Sequence, residues 1–454
     1  KTVLGSYQSA KNVLTVGATQ FTGDIASFSS RGPVIDGRIK PEITTQGAAV
    51  VSTGNGSYYT NNGTSMACPG ASGGATLLIQ RYRQLNAGTN PSNALVKNLL
   101  CNGATDKGNE GPDYTYGFGW MNLDRSLDIL ENNRYATGSL IHGGFGLKTF
   151  TVSSDQAQLK VMLNWNDPAA PMVVYRTLVN DLDLELVTPT GSILLPRILD
   201  TVAARVNQVA AIGVDRINNI EQITLYNPPA GNYTIRVRGT SVNTLTQAYF
   251  ISWEVLAPSA KLTFPLGGES FRPGQSINIQ WDTYPGAGTY NLEASTDNGS
   301  TWTPIVSGLT ASTVQYSWIT PNLPSDQVRV RLINTMTNAV STSQSFLLIG
   351  LPVVSLASVQ CETYISMDWT AVAGATDYEV MRLVGTEMQS VAIVPSTTTN
   401  YVFSGLSRDT IYWVGIRPRL NGKAGRRSVS LSRQPSTGTC AGSISDNDFR
   451  MEAL

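Results

Sequence analysis

The chain has 454 residues, 41% of them hydrophobic, and its 32 Lys and Arg balance its 32 Asp and Glu. At roughly 100–200 residues per domain that length predicts about three or four domains, each able to bury a core. The zero net charge excludes nucleic acid as the main partner, since phosphate binding needs a basic surplus. No apolar run reaches the ~18 residues of a membrane span. The opening "KTVLGSYQSAKNVLTVGAT" starts inside a pattern and does not read as a signal peptide.

In chain order, residues 1 to about 135 read as α/β. "NVLTVGAT" predicts a short buried strand. "TLLIQRYRQL" and "NALVKNLL" carry helical periodicity, with Pro91-Ser92 at the start of the second, and "DRSLDILENN" predicts a closing helix. From 136 to 257 the texture changes to short alternating runs: "KTFTVSS", "QLKVMLNW", "DLDLELVTP", "QITLYN", "YTIRVRGT", "YFISWEV". Punctuated by Gly, Pro, Asn and Asp, they predict a jelly roll or barrel. "LAPSA" reads as a linker to a second all-β unit at 258–350, in which "STDNGSTW" carries an Asn-Gly hairpin turn. A third all-β unit spans 351–441, and residues 442–454 read as the start of a truncated further element.

Four cysteines, Cys68, Cys101, Cys361 and Cys440, do not have zinc-site spacing. Cys361 and Cys440 bracket the third β unit and are expected to staple it. Pairing of Cys68 with Cys101 is left open beside the reading of Cys68 as a small buried residue. The Gly-, Thr-, Ser- and Asn-rich composition with 14% charged residues predicts a secreted or cell-surface bacterial protein. Trp281, Trp302, Trp318, Trp369 and Trp413 are expected in strand cores rather than as carbohydrate platforms.

"TNNGTSMACPGASGGATLLIQRY" places Ser65 where a helix begins. A serine hydroxyl becomes a nucleophile when a base takes its proton and amide donors hold the oxyanion. At a helix N-terminus the serine's own N–H and the helix dipole supply the second need. Gly63 allows a sharp turn before it, the following small residues allow close packing, and Pro69 is expected in the first turn, where N–H groups are unpaired anyway. The string "GTSMACPGASG" resembles the serine motif of the subtilisin-like serine peptidases (subtilases), with Ser65 at the nucleophile position. The order "NVLTVGAT", "FSSRGP", "KPEI", "GTSMACP", "GFGWMNLDRSL" is the family's order. "LNWNDPAA…TLVNDLDLELVTPTG" and "DRINNIE…LYNPPAGNYTIRVRG" resemble the β-barrel attached to alkaline bacterial subtilases, so the likeness covers residues 1–256.

The resemblance implies a partial α/β subtilisin-like unit followed by a jelly roll or barrel. Beyond it, the unit at 258–350 resembles Ig-like modules, and "ISMDWTAVAGATDYEV" and "GLSRDTIYWVGI" in 351–441 resemble a fibronectin type III domain. The expected fold is thus a partial α/β unit followed by three all-β domains: a jelly roll or barrel, an Ig-like sandwich and a fibronectin type III sandwich. The subtilase resemblance implies peptide-bond hydrolysis of protein or peptide substrates through a Ser-His-Asp triad. Only the serine is in place. The single histidine, His142, follows the serine instead of preceding it, and reads as a loop or strand residue. The expectation is therefore a catalytic unit without its front half, inactive alone, in a monomer whose outer modules hold a surface or polymer ligand. The competing reading is a modular adhesin with a peptidase remnant. In the barrel, "VNDLDLEL" sets Asp181 and Asp183 on one strand face. "VDRINNIE" adds Asp215, Asn218, Asn219 and Glu221. Oxygen donors of this kind suit Ca²⁺, and the likeness to calcium-stabilised alkaline subtilases implies a structural Ca²⁺ held by Asp181, Asp183, Asp215, Asn219 and Glu221.

Overall fold

The computed structural model describes residues 7–54, 57–172, 174–284, 288–310 and 313–438. The expected tail element at 442–454, and Cys440, lie outside the described residues. The chain divides into two compact units, Lys1–Pro258 and Ser259–Leu454.

In the first unit, β1 (Val16–Thr19) pairs in parallel with β2 (Ile43–Gln46). Residues 118–121 continue beyond β2, where Thr44 N–H donates to Gly119 O and Met121 N–H to Thr44 O. A hairpin of β3 (Val50–Gly54) and β4 (Ser57–Asn61) leads into α1 (Thr64–Leu85). The helices α2 (Asn93–Asn102) and α3 (Leu123–Glu131) follow. Ser92 caps α2 by accepting from Ala94 N–H, and Asn122 caps α3 by accepting from Arg125 N–H.

The sheet end of this region is held by a carboxylate. Glu42 has 1% of its surface exposed, and both Lys40 and Lys97 donate to its Oε1. Its Oε2 accepts from Thr15 N–H at 2.7 Å. Burial alone would raise this carboxyl, but the ammonium groups of Lys97 and Lys40 outweigh it and hold the pKa below the ordinary value. Burial in turn brings Lys40 down to about 8, against the opposing pull of Glu42.

The strands after α3 are β5 (Tyr135–Leu140), β6 (Phe145–Val152), β7 (Gln158–Asn164), β8 (Asp181–Val187), β9 (Ile193–Leu194), β10 (Arg197–Ile198), β11 (Ala211–Ile212), β12 (Ile220–Tyr226), β13 (Gly231–Ser241) and β14 (Gln247–Leu256). They form two four-stranded sheets, β12-β7-β14-β5 and β6-β13-β8-β9, with β10 and β11 as a separate pair. Inward residues of both sheets make one core around Trp165, Tyr233 and Leu163. Phe150 stacks on Trp253 and Tyr233 with centroids 5.1 and 5.9 Å apart.

Helix α2 is buried on all sides from Ala94 to Asn102. Its apolar side joins α1 and α3 in the core of the α/β region. Its polar side faces the jelly roll: Asn98 Nδ2 donates to Met162 O and Phe250 O, and Asn102 Nδ2 to Ser252 Oγ. From the other side, Asn164 Nδ2 donates to Ala94 O. The α/β region and the jelly roll thus share one interior.

The second unit holds two β-sandwiches. One packs the sheet of Ser259–Phe264, Ser276–Tyr284 and Gln315–Ile319 on a larger sheet, around Trp281, Tyr290 and Phe346. Its Asn298 and Gly299 both have positive φ, as the Asn-Gly turn requires. The other encloses Trp369 and Tyr378, in edge contact at 5.6 Å. Trp281 and Trp369 are core residues as expected, whereas Trp413 is 44% exposed. In its strand, Val414 and Ile416 point inward, so alternation turns Trp413 outward. Cys361 is disulfide-bonded, while Cys68 and Cys101 are both free.

Replacing Glu42 by Leu leaves two lysines buried without a counter-charge. The first unit is expected to lose about 3–5 kcal/mol of stability, measured by urea denaturation. The wild-type contribution is present above the ordinary glutamate pKa of 4.5 and fades as pH falls through the lowered folded value. The pH dependence of the Glu42→Leu variant should lack that component.

Candidate active site and carboxylate cluster

Ser65 is the second residue of α1 and is exposed. Gly63, the residue before the helix, has φ +156°, where a side chain is strained. Its N–H donates to Gly47 O at 2.8 Å, and its carbonyl accepts from Met66 and Ala67 N–H. Gly47 itself must be glycine: a Cβ there would sit 2.6 Å from both Gly63 O and the Ala18 methyl. Thr45 Oγ1 donates to Ala67 O at 2.6 Å and ties the first turn to β2.

Below the serine, Ala67, Ala71, Gly74 and Leu78 form the buried stripe of α1. At Gly74 a Cβ would lie 2.9 Å from the end of the Met121 side chain, which would have to swing aside. Pro69 departs from the expectation. It is not in the first turn but inside the helix, at a position whose N–H would otherwise bond Ser65 O. The missing donor therefore frees the carbonyl of Ser65 itself. Neither the hydroxyl nor the N–H of Ser65 has a hydrogen-bond partner among the described residues. The arrangement presents a hydroxyl and an amide at the positive end of a 22-residue helix, the geometry of a nucleophile with an oxyanion donor.

His142 does not join it. The ring lies in the turn between β5 and β6, where Nδ1 accepts from Val242 N–H at 3.4 Å. A cleft of about 360 Å³ opens on another face of α1, lined by Leu14, Val16, Cys68, Ala71, Ile79 and Lys97 among others. This places Cys68 at a surface cleft rather than in the interior expected for it.

Four of the barrel residues, Asp181, Asp183, Asp215 and Glu221, lie close together where β12 faces β8. Asp181 and Asp183 share a face of β8, and the cation between them is Arg216, whose guanidinium meets Asp181 Oδ2 at 3.1 Å and also pairs with Asp183. Asp215 closes a tight turn by accepting from Ile217 N–H, Asn218 N–H and Asn218 Nδ2. Asn219 points elsewhere, donating to Trp165 O and Asn12 Oδ1. Glu221 reaches from β12 to the other sheet, where its Oε2 accepts from Leu184 N–H at 2.8 Å. Asp181 Oδ1 and Glu221 Oε1 are buried without a partner.

Burial first, then the negative charge of Asp215, raises the Glu221 pKa well above the ordinary value. Burial raises Asp181 to about 6, Arg216 opposing and Asp183 adding to the shift. Among the described residues no three His, Cys, Asp or Glu side chains are arranged as a metal cage. The sequence pattern located these carboxylates but missed Arg216, although it lies within the quoted "VDRINNIE".

The model of the subtilase family matches residues 1–119. "Serine protease/ABC transporter B family protein tagA" of Dictyostelium discoideum is 28% identical over 264 residues, 49% of this chain and 15% of that protein. "Serine protease AprX" of Bacillus subtilis is 35% identical over 140 residues, 26% of this chain and 30% of that protein. The chain thus spans less than a third of the length of either relative. The crystal structure of a lanthipeptide protease aligns with 27% of this chain and 43% of its own at 25% identity, with a TM-score of 0.25. The motif order, the presentation of Ser65 at the head of α1 and the family match agree: residues 1–119 are a segment of the subtilase family.

Proposed function

We propose that this chain carries the nucleophile half of a secreted serine endopeptidase, with Ser65 as the attacking residue. The observation that carries this reading is the hydroxyl and N–H of Ser65 at the head of α1, which have no partner among the described residues. In the reaction, Ser65 Oγ attacks the scissile carbonyl while a base accepts its proton. The Ser65 N–H donates to the oxyanion, and the C–N bond then breaks as the base passes its proton to the departing amine. Water, deprotonated by the same base, hydrolyses the acyl-enzyme, releasing the carboxylic acid and restoring the serine hydroxyl. The acid–base pair comes from outside this chain, because its one histidine is His142. The bonded Cys361 fits an oxidising, extracellular setting. The two sandwiches of the second unit serve as attachment modules toward a surface or polymer.

We also propose the carboxylate cluster as a structural Ca²⁺ site that closes around the ion only when Arg216 withdraws, since without the ion its donors do not stand as a cage. Its donors are oxygens, as Ca²⁺ prefers, and Asp181 Oδ1 and Glu221 Oε1 are buried and unpaired. Bound there, the ion would supply positive charge. Asp181, Asp183, Asp215 and Glu221 are the residues that would hold it, and Arg216, 42% exposed in its side chain, would yield its place. Asn219 leaves the set, since its amide is committed to Trp165 and Asn12.

A fluorophosphonate probe tests the first reading. It should fail to label this chain and should label Ser65 in a longer protein that supplies an Asp and His pair upstream, with Ser65→Ala abolishing the label. Labelling in neither form would favour the adhesin reading. Calcium is tested by thermal melting. Added Ca²⁺ should raise the melting temperature of the first unit, and a chelator should reverse it. A carboxyl with a raised folded pKa stabilises below the unfolded value of 4.5 and loses that contribution as pH rises through the folded value. In chelator at neutral pH, Glu221→Gln should therefore melt higher than wild type, and it should lose most of the Ca²⁺ response.

A further inference from the structure

The outer face of the β6-β13-β8-β9 sheet holds a second feature, away from α1. Strand register sets Phe145, Arg238 and Asp183 in one row across β6, β13 and β8, and Leu147, Arg236 and Glu185 in the next row on the same face. Phe145 and Leu147 are 65% and 60% exposed. With Arg236 and Arg238 they line a cleft of about 260 Å³. The acids beside them are unequally committed. Asp183 is taken by Arg216 and Thr240, which leaves Arg236 and Arg238 to share Glu185. Arg236 holds it closely, while Arg238, 57% exposed, stands 3.5 Å away. Three arginines and three acids balance on this face, but Arg238 is the loosely paired one and is free to turn toward the cleft.

The backbone beside this cleft is also open. β6 pairs with β13 along one edge and with no strand along the other among the described residues. Such an edge is a template for another strand, and proteins blunt it with charge, proline or a bulge. The eight residues of β6 contain no proline and no bulge against β13. Its one charged residue, Lys148, lies over the Trp253 ring at 5.5 Å.

We propose that β6 binds an extended acidic peptide as an added strand, with glutamate side chains lying over Phe145 and Leu147 to meet Arg238 and Arg236. Main-chain bonds along β6 supply affinity and the arginines supply selectivity. An added strand lies about 4.8 Å beyond β6 and so roughly 10 Å from β13. The longer glutamate spans that gap together with an arginine, and aspartate falls short. The partner is a glutamate-rich extended segment, recognised without any part played by Ser65.

The test is fluorescence anisotropy on the full chain with a labelled eight-residue peptide alternating glutamate and valine. Saturable binding is expected, weakened tenfold or more by replacing glutamate with aspartate or lysine and by Arg238→Glu. N-methylation of one alternate set of peptide amides should abolish binding, and of the other set should not. Phe145→Thr, with an unchanged melting temperature, should weaken binding without altering its charge preference. The proposal is overturned if the glutamate peptide does not saturate, if the lysine peptide binds equally, if Arg238→Glu in a folded protein leaves affinity unchanged, or if both N-methylated peptides still bind.

Discussion

A fully buried carboxylate must either keep its proton or take cations, and Glu42 takes cations. Its two lysines come from β2's own approach, Lys40, and from α2, Lys97. Its other oxygen holds the chain just before β1 through Thr15 N–H. Lys40 and Lys97 also donate to Val13 O. Removing any one partner strands a charge or a carbonyl in the interior, which costs more than the pair itself contributes. The order of β1, β2 and α2 is therefore fixed by electrostatics as much as by apolar contact.

From α2 the constraint passes into the jelly roll. A helix with one wet face could let the two parts separate, but α2 has none. Its amides satisfy carbonyls of β7 and β14. Lys160 of β7 answers by donating to Ala104 O while pairing with Glu254. A further tie joins Lys11 to Asp167 and to the carbonyls of Pro168 and Thr177. These groups would each lose a partner if the halves parted, so polar satisfaction makes one body of two sequence textures.

Much of this was legible in the residues. Periodicity located the helices and the alternating strands, and Pro91-Ser92 marked the start of α2 because a hydroxyl there can cap it. Asn298-Gly299 marked a turn because both residues tolerate positive φ. What stayed hidden depends on three-dimensional neighbours. The string "NALVKNLL" looks amphipathic, and nothing in it says that its polar face is buried against another part of the chain. Arg216 is a charged residue among acids in the sequence, and only the fold brings it between Asp181 and Asp183. Pro69 looked like a first-turn residue, yet α1 begins early enough to put it inside the helix.

These constraints meet at Ser65. Glu42 anchors the start of β2, and three residues later Thr45 holds Ala67 O in the first turn of α1. Gly47, just past the end of β2, receives the Gly63 N–H and leaves no space for a side chain beneath the turn. The buried stripe Ala67, Ala71, Gly74 and Leu78 then fixes the helix along its length. A nucleophile at a helix end is useful only if that end does not move, because a misplacement of about 1 Å can cost 10²-fold in rate. Among the described residues, the hydroxyl and the N–H of the serine make no bond that would hold it. Its position is set by a strand on one side and a helix stripe on the other, and under the proposed reading that leaves the hydroxyl and the amide open to a substrate carbonyl.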